Sequence, residues 1–467
     1  MPTQSAVRVS LTRRLAEYVT GLEFATLAPQ TVEHAQQAVL DLTGLALRAR
    51  VDSATSAAVQ HAVRALDPGG ACTAIGYGDR YSPQYAALLN ACNFHALDFD
   101  DTHERASLHP GAPVVAAALA VAEQEHVNGR EFITAIVAGY DVAVRVGLAA
   151  LPGVHYARGF HPTATAGVFG ATAAVARLTR ASAEQLTSAF GIALSEAAGS
   201  LQFSVDGAQT KPLQVGFAAH DGILAHRFAA SGVRGPDEAF EGRSGFLHAY
   251  SDGADPAELL DRWDGVHEID RTAFKPYPCC RYMHAAIDTI VEIVRERGIA
   301  ADAIERIRVS LPAAGMRLCA YPEERKRRPE SVVDVQFSMY YAAAAAALWG
   351  GVRWDDYARR DAPEIAALIE RITVTEDPEV EALFPRMAAR VELDAGEVHE
   401  RRLTPSPRGE PDRPLGWDEL IAKFHDLAAP ALPDPRRNRI VDEIRNLSAL
   451  PDLATLTPLL TSPKIGA

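Results

Sequence analysis

The spacing of apolar residues changes near residue 270 of this 467-residue chain, and this change constrains the fold more than any other feature. From about residue 11 to residue 270, apolar residues recur every three or four positions, as they do along one face of an α-helix. Leu11, Leu15 and Val19 show this spacing. Ser182-Ala-Glu-Gln185 is typical of a capping box, and it predicts a helix that continues to about Ala198. This part of the chain therefore predicts an all-helical domain.

After residue 270, short segments alternate between apolar and polar residues, which is typical of β-strands. The predicted strands lie at 304–311, 371–375, 389–393 and 398–403, and the predicted helices of this region lie at 282–298 and 334–350. A stretch rich in proline and glycine, 405–414, ends the region, and helical spacing returns at 417–427 and 437–447. We therefore predict a mainly α fold with an α+β second domain. A large all-helical domain is formed by both chain ends, 1–270 and 405–467, and a smaller α+β lid domain is inserted at 271–404.

The charge and cysteine content exclude several classes of partner. The net charge of −14 disfavours nucleic acid and anionic membrane surfaces, although a local group of cations can still bind a small anion. No apolar run reaches the ~18 residues of a membrane-spanning helix, and residues 340–352 are the nearest case. Five scattered cysteines without a C-x-x-C pair argue against disulfides and zinc knuckles, so we predict a cytoplasmic protein.

The segment from Asp98 to His109 is the first candidate for chemistry, because it contains four carboxylates, two hydroxyls and two imidazoles. It precedes an apolar run at 112–122 that predicts a buried helix. Charge beside a core helix is costly unless it faces a cleft, and imidazole with carboxylate can transfer protons near neutral pH. Asp98 and Thr102 are four residues apart and are expected to share one face of a helical turn. Taken alone, the segment is better explained as a solvated loop with an acidic helix cap.

Two further segments place a basic side chain at a predicted helix start. His161 precedes a proline, and helix N-termini attract anions and lower imidazole pKa values, although a plain capping role explains it equally well. Lys211 precedes Pro212 after a glycine-bearing turn. A lysine is electrostatically unfavourable at a helix start, so we expect an anionic neighbour such as a substrate carboxylate. An ordinary surface lysine is the alternative.

The fourth segment, Phe274–His284, lies at the predicted domain junction and carries Lys275, Arg281 and His284. A rigid linker with solvated charges explains this segment alone better, and Cys279-Cys280 is interpreted as a pair of buried small residues. His95 and His220 are expected to be ordinary core or surface histidines. The sequence contains no Walker A, dinucleotide-binding or zinc-protease motif, so we predict no cofactor and no metal.

Together and in this order, the segments resemble the MmgE/PrpD family. The matching residues are Asp98-Phe-Asp-Asp-Thr-His103 with His109-Pro-Gly111, Gly159-Phe-His-Pro-Thr163, Asp206–Pro212, Lys275–His284, Ser338-Met-Tyr-Tyr341 and Pro414–Phe424, and the likeness extends from about residue 11 to 447. The resemblance implies a helical domain and an α+β lid with a site in the cleft between them. It also implies a homodimer and cofactor-free chemistry on small di- or tricarboxylates.

The resemblance also implies roles for individual residues. The catalytic candidates are Asp98, His109, His161 and His284, and the substrate-binding candidates are Thr102, His103, Lys211, Lys275 and Tyr341. In the family's decarboxylase the second histidine of the acidic motif comes one residue sooner than His109 does here.

We predict a cofactor-independent hydro-lyase that acts on a small di- or tricarboxylate by acid/base proton transfer. A decarboxylase of a cis-aconitate-like substrate and an epimerase of an iminodisuccinate-like dicarboxylate are the alternatives. A non-catalytic carboxylate-binding protein is a more distant alternative.

Overall fold

The computed structural model describes residues 9–461 and divides into two compact units. The first unit holds the described residues up to Thr272 and those from Trp417 onward, and the second unit is Ala273–Gly416. The predicted mainly α fold with a smaller α+β part is confirmed.

The first unit is built from helices, with one antiparallel pair of two-residue strands, β1 (Cys72–Thr73) and β2 (Arg80–Tyr81). Its helices before the second unit are α1 (Leu11–Gly21), α2 (Pro29–Asp52), α3 (Ala54–Leu66), α4 (Pro83–His95), α5 (Gly111–Gln124), α6 (Gly129–Ala149), α7 (Pro152–Ala157), α8 (Pro162–Thr165), α9 (Gly167–Leu178), α10 (Ala183–Leu194), α11 (Gln202–Asp206), α12 (Thr210–Ala230) and α13 (Phe246–Tyr250). The predicted capping box is present at the start of α10, where Ser182 and Gln185 bond each other's backbone.

The core of the first unit is formed where α5, α6 and α9 pack closely through small residues. A Cβ atom on Gly139 of α6 would lie 2.5 Å from a methyl group of Val114, and one on Gly170 of α9 would lie 2.7 Å from the Ala143 Cβ. Helix α6 is long and apolar enough to cross a membrane, although we expected no such segment, and its apolar window is entirely buried inside the unit. Burial of that kind is typical of a core helix.

The second unit packs helices against one face of a four-stranded mixed sheet of order β4-β3-β5-β6. Strand β3 runs parallel to β4 and antiparallel to β5, which is antiparallel to β6. In chain order the elements are α14 (His284–Arg297), β3 (Arg306–Leu311), α15 (Ala313–Cys319), α16 (Glu323–Arg327), α17 (Val332–Gln336), α18 (Met339–Trp349), α19 (Pro363–Ile369), β4 (Ile372–Glu376), α20 (Pro378–Glu381), β5 (Ala389–Ala395) and β6 (Val398–Thr404). All four predicted strands are present, and the helix predicted at 334–350 is divided by the N-cap residue Ser338.

Residues 405–416, which we predicted in the helical domain, belong to the second unit. The Glu410 carboxylate lies 2.7 Å from the Arg281 guanidinium, and both side chains are buried. The Phe274 N–H donates to the Gly409 carbonyl. The chain then returns to the first unit as α21 (Trp417–Ala428) and α22 (Asp434–Arg445), both of which pack on α2.

Candidate active site

The acidic segment forms a buried loop between α4 and α5, from residue 96 to residue 110. The backbone of Asp98 has φ of 52°, so the helical turn that we expected Asp98 and Thr102 to share is wrong. Ser107 also has positive φ, at 53°, within a turn that is closed by the bridge between His103 and Leu108. The loop thus changes direction twice before α5 begins, and its carboxylates point to different neighbours.

One of these carboxylates, Asp100, lies between two imidazoles. Its Oδ2 is 2.7 Å from Nδ1 of His95, at the end of α4, and its Oδ1 is 3.4 Å from Nδ1 of His109. The ring centroids of the two histidines are 4.7 Å apart. The backbone N–H of His109 donates to the Thr163 hydroxyl at 3.2 Å, which fixes the backbone position of this residue. This arrangement orients His109 through a carboxylate, as in other histidine–carboxylate dyads.

The charges in this cluster are shared unequally. Burial alone would raise the pKa of Asp100, but electrostatic interactions and hydrogen bonds with His109 and His95 hold that pKa well below its usual value. Burial lowers the pKa of His95 to about 4 despite Asp100, since Lys211 and His109 also disfavour a further positive charge there. Asp100 is therefore ionised and His95 is neutral near pH 7, and the other carboxylate oxygen of Asp100 faces His109.

Lys211 reaches the same loop from the first turn of α12, the helix start that we predicted. Its Nζ lies 2.5 Å from Oδ1 of Asp98. Burial opposes the charge of Lys211, but the Asp98 carboxylate raises the pKa of the ammonium above its ordinary value. The expected anionic neighbour is thus a carboxylate of the protein itself.

His161 is the N-cap residue of the short helix α8, in agreement with the predicted helix start. Its Nδ1 is 3.0 Å from Oε1 of Gln214, one turn beyond Lys211 on α12. Its ring stacks on His95 with centroids 5.8 Å apart. Burial, together with His95 and Lys211, lowers the pKa of His161 well below its usual value. His161 is therefore a neutral imidazole near pH 7.

Thr102 and His103 differ in their surroundings. The Thr102 hydroxyl lies 3.4 Å from Nδ1 of His109, so this side chain belongs to the cluster. His103 turns away from it: Nδ1 accepts from the Ala106 N–H at 3.1 Å, and Nε2 is 3.3 Å from a carboxylate oxygen of Glu268. This geometry gives no support to the substrate contact predicted for His103, because both of its nitrogens face protein groups.

The remaining predicted site residues lie in the second unit. Lys275 is buried, with 2% of its surface exposed. His284 is fully buried, with Nδ1 2.9 Å from the Arg281 guanidinium and Nε2 3.1 Å from the Cys279 carbonyl. Because the guanidinium can only donate, Nδ1 accepts and Nε2 carries the proton. The Tyr341 hydroxyl donates to the Asp356 carbonyl at 3.0 Å.

A set of buried residues behind the loop was missed by the sequence analysis. Lys423 of α21 lies 2.7 Å from Asp41 and donates to the Phe99 carbonyl at 2.9 Å, which anchors the loop backbone. Asp101 accepts a hydrogen bond from the Tyr140 hydroxyl at 2.9 Å. Lys423 is one of only five lysines, and that scarcity was the signal that could have identified it. Asp100 lay within the acidic segment, whereas His95, which we expected to be an ordinary core or surface histidine, and Gln214 carried no such signal.

Among the described residues, His95, Asp100 and His109 are close enough to share a metal ion, with one donor atom from each within 4.8 Å of the others. Three protein donors are also the number that a catalytic zinc site uses, so the absence of a metal stays a prediction. Without one, the cluster combines an ammonium group, a neutral imidazole and an imidazole paired with a carboxylate. That combination can hold a carboxylate and transfer a proton.

Comparisons with known proteins agree with the resemblance. The profile of the MmgE/PrpD N-terminal domain matches residues 13–259, and that of the MmgE/PrpD C-terminal domain matches residues 277–448. Similar proteins include a cis-aconitate decarboxylase-like protein, oryM, of Aspergillus oryzae, which is 28% identical over 98% of this chain and 99% of its own. The cis-aconitate decarboxylase of Aspergillus terreus is 26% identical over 99% of both chains. That of Homo sapiens is 25% identical over 97% of this chain and 95% of its own.

Proposed function

This chain belongs to the MmgE/PrpD family, and we propose that it is a lyase that removes carbon dioxide from a cis-aconitate-like tricarboxylate without a metal or cofactor. The family and the similarity to cis-aconitate decarboxylases over nearly the full chain support a lyase or decarboxylase. The observation that carries the proposal is the pairing of His109 with Asp100 beside the neutral ring of His161. The similarity to decarboxylases favours this reaction over the dehydration that we predicted first.

The reaction requires one proton for each carbon dioxide released. The bond between a carboxylate and its carbon breaks, and its electron pair remains on the substrate, where the adjacent double bond delocalises it. A proton must then be added to carbon. His109 is the proposed proton donor, because its ring is oriented by the Asp100 carboxylate and the Thr102 hydroxyl. Decarboxylation releases no proton to the protein, so the proposed role of neutral His161 is to accept a hydrogen bond at its unprotonated nitrogen.

The proposed anchor of a substrate carboxylate is Lys211, which already carries one carboxylate partner in Asp98. A substrate carboxylate would share the ammonium charge with Asp98, or would compete with it. Thr102, His103, Lys275, His284 and Tyr341 keep, as proposals, the roles that the resemblance implies. Single substitutions at Lys275 and Tyr341, with KM for the substrate as the readout, test the contribution of the second unit.

A hydro-lyase is the second candidate, and the position of His109 favours it. The additional residue between Thr102 and His109, relative to the family's decarboxylase, falls where the loop makes its turn with Ser107 at positive φ. A change of this kind alters the direction in which the His109 ring points. Elimination of water needs the proton donor at the leaving oxygen, whereas loss of carbon dioxide needs it at carbon.

One experiment separates these reactions. The purified protein is incubated with cis-aconitate in D₂O, and the products are followed by proton NMR together with carbon dioxide release. Decarboxylation releases one carbon dioxide for each substrate consumed and places one deuteron on carbon. Hydration consumes substrate without carbon dioxide, and an epimerase exchanges protons of its own substrate without net loss. Binding without turnover would indicate a carboxylate-binding protein. The His109→Gln variant, purified in the same way, controls for contaminating enzymes.

We further propose a cytoplasmic homodimer that needs no metal. Light scattering should give twice the mass of the 50.2 kDa chain. Turnover should survive exhaustive chelation, and elemental analysis should find no stoichiometric metal. A bound metal whose removal abolishes turnover would contradict the cofactor-free mechanism.

A further inference from the structure

We propose that Gln214 is a positioning residue that fixes the tautomer of His161, with the proton on Nδ1 and the acceptor lone pair on Nε2. This inference deepens the proposed function, and it rests on that function only for the accepting role of Nε2 of His161 in the reaction. The tautomer itself follows from hydrogen bonds that the substrate-free protein contains.

The orientation of the Gln214 amide is set by its second partner. Its Nε2 donates to the Ser200 carbonyl at 3.0 Å, and a carbonyl oxygen can only accept. The amide oxygen therefore faces Nδ1 of His161, at 3.0 Å. Because this oxygen also can only accept, Nδ1 must carry the proton of the neutral ring. A flipped amide would place two oxygens against each other at Ser200 and would lose that hydrogen bond.

The ring of His161 is confined, so rotation cannot readily exchange its nitrogens. Its backbone N–H donates to the Gly199 carbonyl at 3.1 Å, and its ring lies between those of His95 and Phe203, with centroids 5.8 and 5.5 Å away. Gly199 makes this contact possible: its φ is 158°, and a Cβ there would lie 2.9 Å from the Ala164 Cβ and 3.3 Å from that of His161. Among the described residues no protein group bonds Nε2 of His161.

Burial, together with the neighbouring titratable groups, keeps that nitrogen unprotonated. The titratable groups that face His161 are His95 of α4, His109 of the loop and Lys211 of α12, and each disfavours a positive charge on the ring. Gln214 is a neutral acceptor that orients Nδ1, and its hydrogen bond raises the pKa of His161 by less than burial lowers it. A glutamate at the same place would accept the same hydrogen bond and would also favour protonation of the ring. The Gln214 amide therefore orients the ring of His161 while that ring remains neutral.

The test compares Gln214→Leu, which removes the acceptor, with Gln214→Glu, which keeps it and adds charge. Gln36→Leu is the matched control, since the Gln36 amide also donates to a carbonyl, that of Arg445, at 3.0 Å. In full-length protein with ¹⁵N-labelled histidine, the His161→Gln variant assigns the His161 signals. The wild type should show a protonated Nδ1 and an unprotonated Nε2 near pH 7.5. Gln214→Leu should show a mixture of tautomers, and Gln36→Leu should be unchanged.

Kinetics give a second readout on the active enzyme. Gln214→Leu should lower kcat at least ~10-fold with KM within a few-fold, because a wrong tautomer of a catalytic histidine can cost up to ~10⁴ in rate. Gln214→Glu should keep the tautomer and move the acidic limb of the pH profile of kcat/KM upward by about one unit or more. A merely structural glutamine would not move that limb.

Three results would overturn the inference: a wild-type His161 protonated on Nε2, a Gln214→Leu variant with wild-type tautomer, or an unshifted acidic limb in Gln214→Glu. The nitrogen spectra need no substrate, so they decide the tautomer even if cis-aconitate is not turned over. In that case the proposed function fails separately from the positioning role.

Discussion

At the scale of single residues, His109 and His161 share one cluster but differ in their partners. His109 faces the ionised Asp100, whereas His161 faces a neutral amide and lies near Lys211. Burial, with Lys211 nearby, favours the neutral ring of His161. Both histidines could be selected from the sequence, because each lies in a short polar segment beside a predicted helix. Their different hydrogen-bond and charge partners could not be predicted, because His95, Gln214 and Asp100 meet them only in the folded chain.

We predict that His109→Gln lowers kcat by ~10²–10⁴, the usual contribution of a general acid or base. The glutamine keeps a polar side chain of similar length but cannot carry the proton. Steady-state kinetics measure the loss, and circular dichroism checks that the fold is intact. His248→Gln, at an exposed histidine, should behave as wild type. A His109→Gln enzyme within a few-fold of the wild-type kcat would remove this residue from the proton transfer.

Lys211→Ala should raise KM about 10-fold or more, because a hydrogen bond to a charged group contributes ~1.5–3 kcal/mol. It removes the ammonium group and leaves Asp98 without its closest partner. Arg64→Ala is the matched control, since it also removes the cation of an ion pair, with Asp79 at 2.6 Å. Isothermal titration with a dicarboxylate inhibitor gives a second measurement. Unchanged inhibitor binding in a folded Lys211→Ala protein would show that this lysine anchors no substrate.

At the scale of secondary structure, the elements that depend on local sequence could be predicted, and the loop that depends on distant contacts could not. The helix α5 and all four long strands follow from apolar spacing, which depends on neighbouring residues. The backbone of residues 96–110 depends instead on Lys423, which reaches the Phe99 carbonyl from α21. No local pattern reports a contact between residues 324 positions apart. The helical turn expected at Asp98 was wrong for this reason.

Gly111→Ala should destabilise the first unit by ~1–3 kcal/mol, as overpacking of a tight core does. A Cβ at this first residue of α5 would lie 2.4 Å from both the Asp101 carboxylate and the Tyr140 hydroxyl, whose hydrogen bond holds the loop. Gly21→Ala, where no atom lies within 4 Å, should be neutral or slightly stabilising. Denaturant unfolding of both variants checks this. Equal stability of the two would mean that the loop moves aside at little cost.

At the scale of the whole molecule, the chain buries many ionisable groups although its net charge is −14. Buried charges in the first unit are paired, as Lys423 is with Asp41, whereas several buried histidines are held neutral. A histidine of this kind makes stability depend on pH, since it must remain unprotonated in the folded state. His226 of α12 is a clear case outside the candidate site: it is 3% exposed, and its Nε2 lies 2.9 Å from the Thr179 hydroxyl.

The last prediction is that acid destabilises the first unit partly through His226. Burial, with Arg227 nearby, lowers its pKa from 6.5 to about 4. A depressed folded-state pKa contributes stability that is fully present above pH 6.5 and is lost as pH falls toward 4, because the unfolded chain binds a proton that the folded chain does not. Between pH 7.5 and pH 5 this loss should be about 2 kcal/mol for one such histidine.

His226→Gln should remove this loss of stability, so the difference in unfolding free energy between variant and wild type should change by that amount between the two pH values. His248→Gln should leave the pH dependence unchanged. Urea unfolding of the full chain at pH 7.5, 6 and 5 measures both, and a His226→Gln difference that stays constant with pH would show that His226 titrates normally in the folded protein.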